Sequence, residues 1–236
     1  MARKMFEKLL LMILPMFLLA GFINTTADEV SNNSLNIGDL EEDEIRVAKL
    51  DAGGWNLISG RAVGVVDASI DTVWEVLSDY NNYQQFMPRL SVTYLVDAGV
   101  LNELNKKKNW SRTQFETMLD SYRTEEFRDG GFYFYNVMDM PFPFPDFWFL
   151  LRMERNPSAY RFHWTMVYGN MLLNEGSWEL KPYGSDSTKT IAVYMTRSDP
   201  GVYIPNILQK FALKSTLPDI IKNLRRRALL LTSGKL

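Results

Sequence analysis

The stretch Val66-Asp67-Ala68-Ser69-Ile70-Asp71-Thr72-Val73-Trp74-Glu75-Val76-Leu77-Ser78-Asp79-Tyr80 changes its hydrophobic period partway along. Ahead of it, Leu57 to Val66 is extended-friendly and interrupted by Gly60 and Gly64, which reads as a strand with bends at the glycines. Beyond Ser69, the residues Ile70, Val73, Trp74 and Leu77 fall at i, i+3, i+4 and i+7, so a short amphipathic helix follows directly, with Ser69 placed to cap it. Tyr80, Tyr83 and Phe86 predict a second short helix, stopped by Pro88. A strand and two short helices therefore open the fold.

Working outward, Ser91 to Val96 alternates as a strand with Val92, Tyr94 and Val96 on one face. Residues 97–110 read as a polar linker containing Lys106-Lys107-Lys108. Ser111-x-x-Gln114 is a capping-box pattern, and Phe115, Met118, Leu119 and Tyr122 extend it to a helix from about Ser111 to Glu126. Gly130-Gly131 ends that segment, and Phe132 to Met138 is a strand. Pro141, Pro143 and Pro145 alternate with Phe142 and Phe144, so Met140 to Asp146 is an extended connector that no ladder interior accepts. Alternation then marks strands through Phe147, Phe149, Leu151 and Met153, through Tyr160, Phe162, Trp164 and Met166, and through Ile191, Val193 and Met195, with a shorter one at Ser177 to Leu180. From Pro205 onward Ile207, Leu208, Phe211, Leu217, Ile220, Ile221, Leu224, Ala228 and Leu231 recur at helical steps, and Pro218 predicts a kink there or a restart from Thr216. Parallel βαβ alternation is absent. The order predicts an α+β class with a curved antiparallel sheet wrapped around a long C-terminal helix.

Val66 to Tyr80, followed by Tyr83 and Phe86-Met87-Pro88, resembles the opening strand and helix pair of the START-like helix-grip (SRPBCC) superfamily, which includes lipid-transfer domains, coenzyme Q-binding proteins, plant hormone receptors and polyketide cyclases. Asp139 to Met153, Gly176-Ser177-Trp178-Glu179-Leu180 and the stretch from Asp199-Pro200-Gly201 through Pro218 to Arg225-Arg226-Arg227 resemble its later strands and closing helix. The likeness runs from about Leu57 to Leu231. It departs at Gly99 to Glu126, a linker and helix where the family more often has plain strands. The resemblance implies a helix-grip fold and an apolar cavity between the sheet and the long helix. Function has to come from the site itself.

Composition narrows the chemistry. The 236 residues carry 46% apolar and 13% aromatic side chains, enough to bury a core, and a formal net charge of -2 that supplies no field for nucleic acid. No cysteine excludes disulfides, thiolate nucleophiles and Cys-ligated metals, and His163 as the single histidine excludes an imidazole-rich site. No Gly-rich phosphate loop, paired-histidine motif or serine elbow occurs, so neither a cofactor nor a metal is expected.

Arg3, Lys4 and Lys8 precede an uncharged run from Leu9 to Ile23, and Thr25-Thr26-Ala27 offers small residues for cleavage after Ala27, with Ala20 as the alternative. Fifteen residues of helix span about 22 Å, short of a roughly 30 Å hydrocarbon core. Residues 1–27 thus read as a signal peptide for export, in a cysteine-free chain that suits a bacterial periplasm; an uncleaved N-terminal anchor is the alternative. Residues 28–52 read as an acidic N-terminal linker and 53–232 as the ligand-binding domain. Asp28 to Asp51 is rich in acids and Pro205 to Leu236 in bases, so the two ends carry opposite signs.

With 14 Phe, 11 Tyr, 6 Trp and 12 Met, the strands carry more large adaptable side chains than a charged site would use. Alternation nominates Phe134, Phe149, Leu151, Phe162, Trp164, Met166, Val193 and Met195, with Leu208 and Phe211 from the long helix, as the lining of a pocket for a lipid or other hydrophobic small molecule. His163 should point the other way. The 140–146 connector can gate a pocket or touch a membrane, and Arg225-Arg226-Arg227 is either a solvated face or a contact for anionic headgroups. The leading reading is an exported binder and carrier of a hydrophobic molecule. A cyclase or aromatase of the same fold and a non-catalytic envelope interaction protein are the alternatives.

Overall fold

The computed structural model describes residues 37–50, 57–127, 131–142 and 144–235, and within the elements it leaves out the side chains of residues 186, 187, 206–208, 211 and 212. The expected leader, Pro143, and the side chains of Leu208 and Phe211 lie outside the described residues. The elements are β1 (Ile45–Lys49), β2 (Ile58–Val66), α1 (Ile70–Ser78), a 3-10 turn (Tyr80–Gln85), β3 (Leu90–Val96), α2 (Val100–Lys106), α3 (Arg112–Leu119), β4 (Arg123–Thr124), β5 (Phe132–Met138), β6 (Phe147–Asn156), β7 (Arg161–Gly169), β8 (Leu173–Tyr183), β9 (Asp186–Asp199) and α4 (Asn206–Thr232). The strands form one antiparallel sheet in the order β1-β2-β9-β8-β7-β6-β5-β3-β4. This is the curved sheet and C-terminal helix of the α+β helix-grip class.

α1 starts where the period changes: Ser69 accepts from the Thr72 N–H, and Val73, Val76 and Leu77 are buried. The capping box also forms, since Ser111 accepts from the Gln114 N–H and Gln114 reaches back to the Ser111 N–H. That helix is shorter than its expected end at Glu126. α3 stops at Leu119, and Asp120–Tyr122 turns the chain into the short edge strand β4. The expected linker over 97–110 contains α2, whose Val100 is fully buried. The acidic segment likewise contributes β1, which pairs along Gly60 to Gly64 of β2. α4 runs as one helix through Pro218, without the expected restart.

α4 lies closest to β1, β2 and α1. Two glycines of β2 make that approach possible: a Cβ at Gly60 would sit 2.6 Å from Leu217 and 2.7 Å from Leu213, and one at Gly64 would sit 2.6 Å from Ile221. We call this face of the sheet inner. Its core gathers Val66, Leu95, Phe132, Phe134, Phe147, Phe149, Leu151, Met153, Phe162, Trp164, Trp178 and Leu180 with Leu213, Leu217, Ile221 and Leu224 of α4. The outer face carries two more clusters. α2 and α3 cover Tyr94, Val96, Tyr135, Val137, Trp148 and Leu150 with Val100, Phe115 and Leu119, while Leu40 covers Val63, Val65, Ile191 and Val193.

The C-terminal helix reaches the backbone of the acidic N-terminal segment through Arg225. Arg225 donates Nε to the Val65 carbonyl (2.6 Å) and its Nη atoms to the carbonyls of Glu44 (2.8 Å), Glu42 (3.0 Å) and Asp43 (3.1 Å). Lys189 pairs with Glu42 at 2.6 Å. Arg227 pairs with Asp79 at 3.1 Å and donates to Gln85 at 2.9 Å. Of the three successive arginines only Arg226 is exposed, so the expectation of a fully solvated basic face gives way to two internal clamps.

Candidate functional site

Six of the nominated lining residues come together on the inner face. Phe134, Phe149, Leu151, Phe162 and Trp164 are buried in its core, and Met166 packs against it from beyond a bulge that β7 makes opposite Leu150 and Leu151. Val193 and Met195 are corrected: Val193 lies in the outer cluster with Val63 and Leu40, and Met195 is 40% exposed. The inward positions of β9 are Ala192 and Tyr194. Residues 191–195 are apolar at both parities, so alternation alone does not choose a face; the covering N-terminal segment takes the odd one. His163 is exposed and stands 3.7 Å from Glu154, away from the interior as expected.

Residues that alternation did not nominate complete the wall. Tyr80, from the 3-10 turn, sits among Phe132 (4.7 Å between ring centroids), Phe127 (5.3 Å), Phe134 and Tyr83 (5.6 Å each) and Phe162 (6.3 Å). Tyr83 stacks on toward Phe86 at 5.1 Å and anchors its hydroxyl on the Leu77 carbonyl at 2.6 Å. In the other direction Phe162 meets Trp74 at 5.9 Å and Trp164 at 6.4 Å, Trp164 meets Tyr194 at 5.6 Å, and Tyr194 meets Trp178 at 4.9 Å. A continuous path of rings thus crosses the inner face from the 3-10 turn to β8. The sequence signal for Tyr80 and Tyr83 was their helical spacing, which marks a buried side without saying what it faces.

Polar groups on this face are neutral and mostly committed. The Trp164 Nε1–H donates to Asn174 Oδ1 at 3.0 Å. Thr93 donates to the Tyr80 carbonyl at 3.3 Å and contacts Gln84. Burial pushes Tyr83 well above its ordinary value and Tyr194 up to about 12, the latter against a hydrogen bond from Thr196, so both phenols stay protonated at neutral pH. Among the described residues the buried polar ones are Ser59, Thr93, Asn136, Asn174, Thr190 and Gln209, none of them a charged group. The nearest cation is Arg155 at the far end of β6, held between the rings of Phe127 (4.5 Å) and Trp74 (5.0 Å), with Nη2 donating to Ser78 at 3.0 Å. No group of three or more His, Asp or Glu residues able to hold a metal occurs among the described residues.

One end of the sheet gathers three strongly exposed apolar side chains on neighbouring loops. The Asp139 N–H donates to the Arg89 carbonyl, Asn170 bonds Trp148 and the Asp146 carbonyl, and the Leu172 N–H donates to the Asp199 carbonyl, so the 139–146, 170–172 and 200–205 loops are neighbours. They present Phe142 (78% exposed), Leu172 (73%) and Tyr203 (59%). Asp146 ties the first loop down by accepting from the Met140 N–H at 3.1 Å and from Arg112 at 3.3 Å.

The profile of a family described as Polyketide cyclase / dehydrase and lipid transport matches residues 66–225. Among solved structures, the chain is similar to a STAR-related lipid transfer protein fragment from Xanthomonas axonopodis (18% identity, TM-score 0.57), over 80% of this chain and 96% of that one. Human STARD10 matches at 12% identity and a TM-score of 0.57, over 81% of this chain and 71% of its own. A Zhui aromatase/cyclase from a Streptomyces species matches at 13% identity and 0.53, over 76% and 99%. At these identities the likeness is one of fold. No curated protein sequence matches the chain.

Proposed function

The chain belongs to the polyketide cyclase / dehydrase and lipid transport family, and from that premise we propose that it is an exported protein that binds, and carries, a lipid or another largely apolar small molecule between the inner face and α4. The observation that carries this reading is the ring path from Phe86 to Trp178, flanked by Leu151, Met153 and Met166 and without a buried charged group among the described residues. Such a wall binds by removing apolar surface from water. At about 25 cal/mol per Å², a few hundred Å² of guest surface supplies several kcal/mol before ordering costs.

A cyclase needs a proton donor or acceptor poised near neutral pH inside the site. Burial shifts the Tyr83 and Tyr194 phenols of this wall upward, which favours binding over proton transfer there. An interaction protein steered by its oppositely charged ends is disfavoured because Arg225, from the basic end, is engaged by the carbonyls of residues 42–44 of the acidic end. Transient membrane contact belongs with the loops bearing Phe142, Leu172 and Tyr203 in preference to Arg225 and Arg227, whose guanidinium groups are engaged. Export rests on the basic, apolar and small-residue order of residues 3–27.

The test is to purify the full chain from a bacterial envelope, extract it with organic solvent and analyse the extract by mass spectrometry. A stoichiometric lipid or other hydrophobe is expected. Protein that retains nothing and takes up no offered lipid would refute the reading.

A further inference from the structure

Asn136 stands alone in kind on the inner face of β5. It lies between Phe134 and Met138 along its strand and opposite Phe149 of β6, and it is only 2% exposed. An apolar residue at this position would simply extend the core. The amide makes one hydrogen bond among the described residues, from Nδ2 to the carbonyl of Phe134 at 3.2 Å. That bond fixes the orientation of the amide: turned over, its oxygen would face another carbonyl oxygen. Oδ1 is therefore left as an acceptor with no donor among the described residues.

Resting on the reading that the interior takes a guest, we propose that Asn136 is the polar contact of that site and that the guest is an uncharged hydrophobe bearing a hydroxyl group, which donates to Asn136 Oδ1. The surroundings decide the class. Phe134, Phe149 and Leu151 are apolar, and Thr93, in register with Asn136 on β3, already donates elsewhere. A carboxylate or phosphate placed here would be desolvated without a counter-charge. Arg155, the cation nearest the wall, lies six residues along β6 from Phe149, about 20 Å at strand rise, and is engaged by Ser78 and two rings. A neutral hydroxyl supplies the missing donor at no such cost, and the remaining Nδ2 hydrogen can return a bond to its oxygen.

Three sixteen-carbon probes separate this proposal from the reading beneath it: radiolabelled hexadecane, 1-hexadecanol and hexadecanoic acid, each titrated against the delipidated full chain. Uptake of hexadecane by the wild type tests the apolar interior alone. The proposal requires 1-hexadecanol to bind about tenfold more tightly than either of the others, and Asn136→Leu, close in volume, to remove that preference while hexadecane binding persists. Equal affinity for alcohol and alkane, or a preference for the acid, would overturn the proposal and leave the interior reading standing. Failure of all three to bind would overturn both. The wild-type series decides even where Asn136→Leu does not fold, and an alcohol preference unchanged in a folded Asn136→Leu chain, checked by its melting temperature, would also overturn the assignment.

Discussion

Replacing Arg225 with methionine keeps an aliphatic stem at this position of α4 and deletes the guanidinium that four carbonyls share. Two of those bonds, to Val65 at 2.6 Å and Glu44 at 2.8 Å, are partly buried, and two, to Glu42 and Asp43, are exposed. Hydrogen bonds to charged groups contribute about 1.5–3 kcal/mol each when shielded, and water replaces exposed ones at little cost, so the loss should be about 2–4 kcal/mol. For a chain of this size that corresponds to a fall in melting temperature of about 6–12 °C. The neighbouring Arg226→Met, at an exposed position, should move it by about 1 °C or less. Thermal unfolding followed by circular dichroism reads both variants, and limited proteolysis should cut Arg225→Met first near residues 42–49, where β1 loses its tether to α4. Equal melting of the two variants would refute the claim that Arg225 clamps the N-terminal segment.

A Cβ at Gly176 would overlap the Trp164 ring and the Met195 carbonyl, so Gly176→Ala should destabilise the protein by about 1–3 kcal/mol and change its tryptophan emission; unchanged emission and melting would contradict the packing described. Tyr94 and Tyr194 are both pushed from 10.0 up to about 12, chiefly by burial. Because their folded values lie above the unfolded ones, the stability they contribute is complete below pH 10 and lost as pH rises through 12, which urea unfolding midpoints across that interval should register as a steady decline. Phe142→Asp alters a side chain that is 78% exposed, so melting should stay within about 1 °C while sedimentation with phosphatidylglycerol-containing vesicles falls; undiminished sedimentation would separate the 139–146 loop from any membrane contact.

Where local chemistry and tertiary packing agreed, the sequence was legible. Ser69 and Ser111 cap as their spacing predicts, and Phe162 and Trp164 face inward on β7, which alternates apolar with polar residues; Phe134, Phe149 and Leu151 also face inward, on strands that are apolar on both faces. β9 defeated alternation, since both of its faces are covered and Val193 and Ala192 are both buried. β1 was hidden in an acidic stretch whose charges are absorbed by Arg46, which pairs with Asp39 at 2.7 Å and Glu44 at 2.6 Å and holds both carboxyls below their usual range. α2 was hidden by its polar surface, which leaves Val100 to carry the burial. Tyr80 and Asn136 were invisible as site residues for a different reason: what matters about each is its neighbours across the fold, and periodicity records only which side of an element a residue occupies.

Gly60 and Gly64 draw α4 down onto one margin of the sheet, while the middle strands stand farther from it and reach across with rings. The space between the two layers is therefore a wedge, thin at β2 and thick over β5 to β7. A guest that pries the layers apart meets a backbone hinge along the thin side, and along the thick side it has only rotatable aromatic and thioether groups to push aside. Swelling of this protein should consequently be lopsided, with β2 as the spine and the phenylalanines of β5 and β6 as the pages.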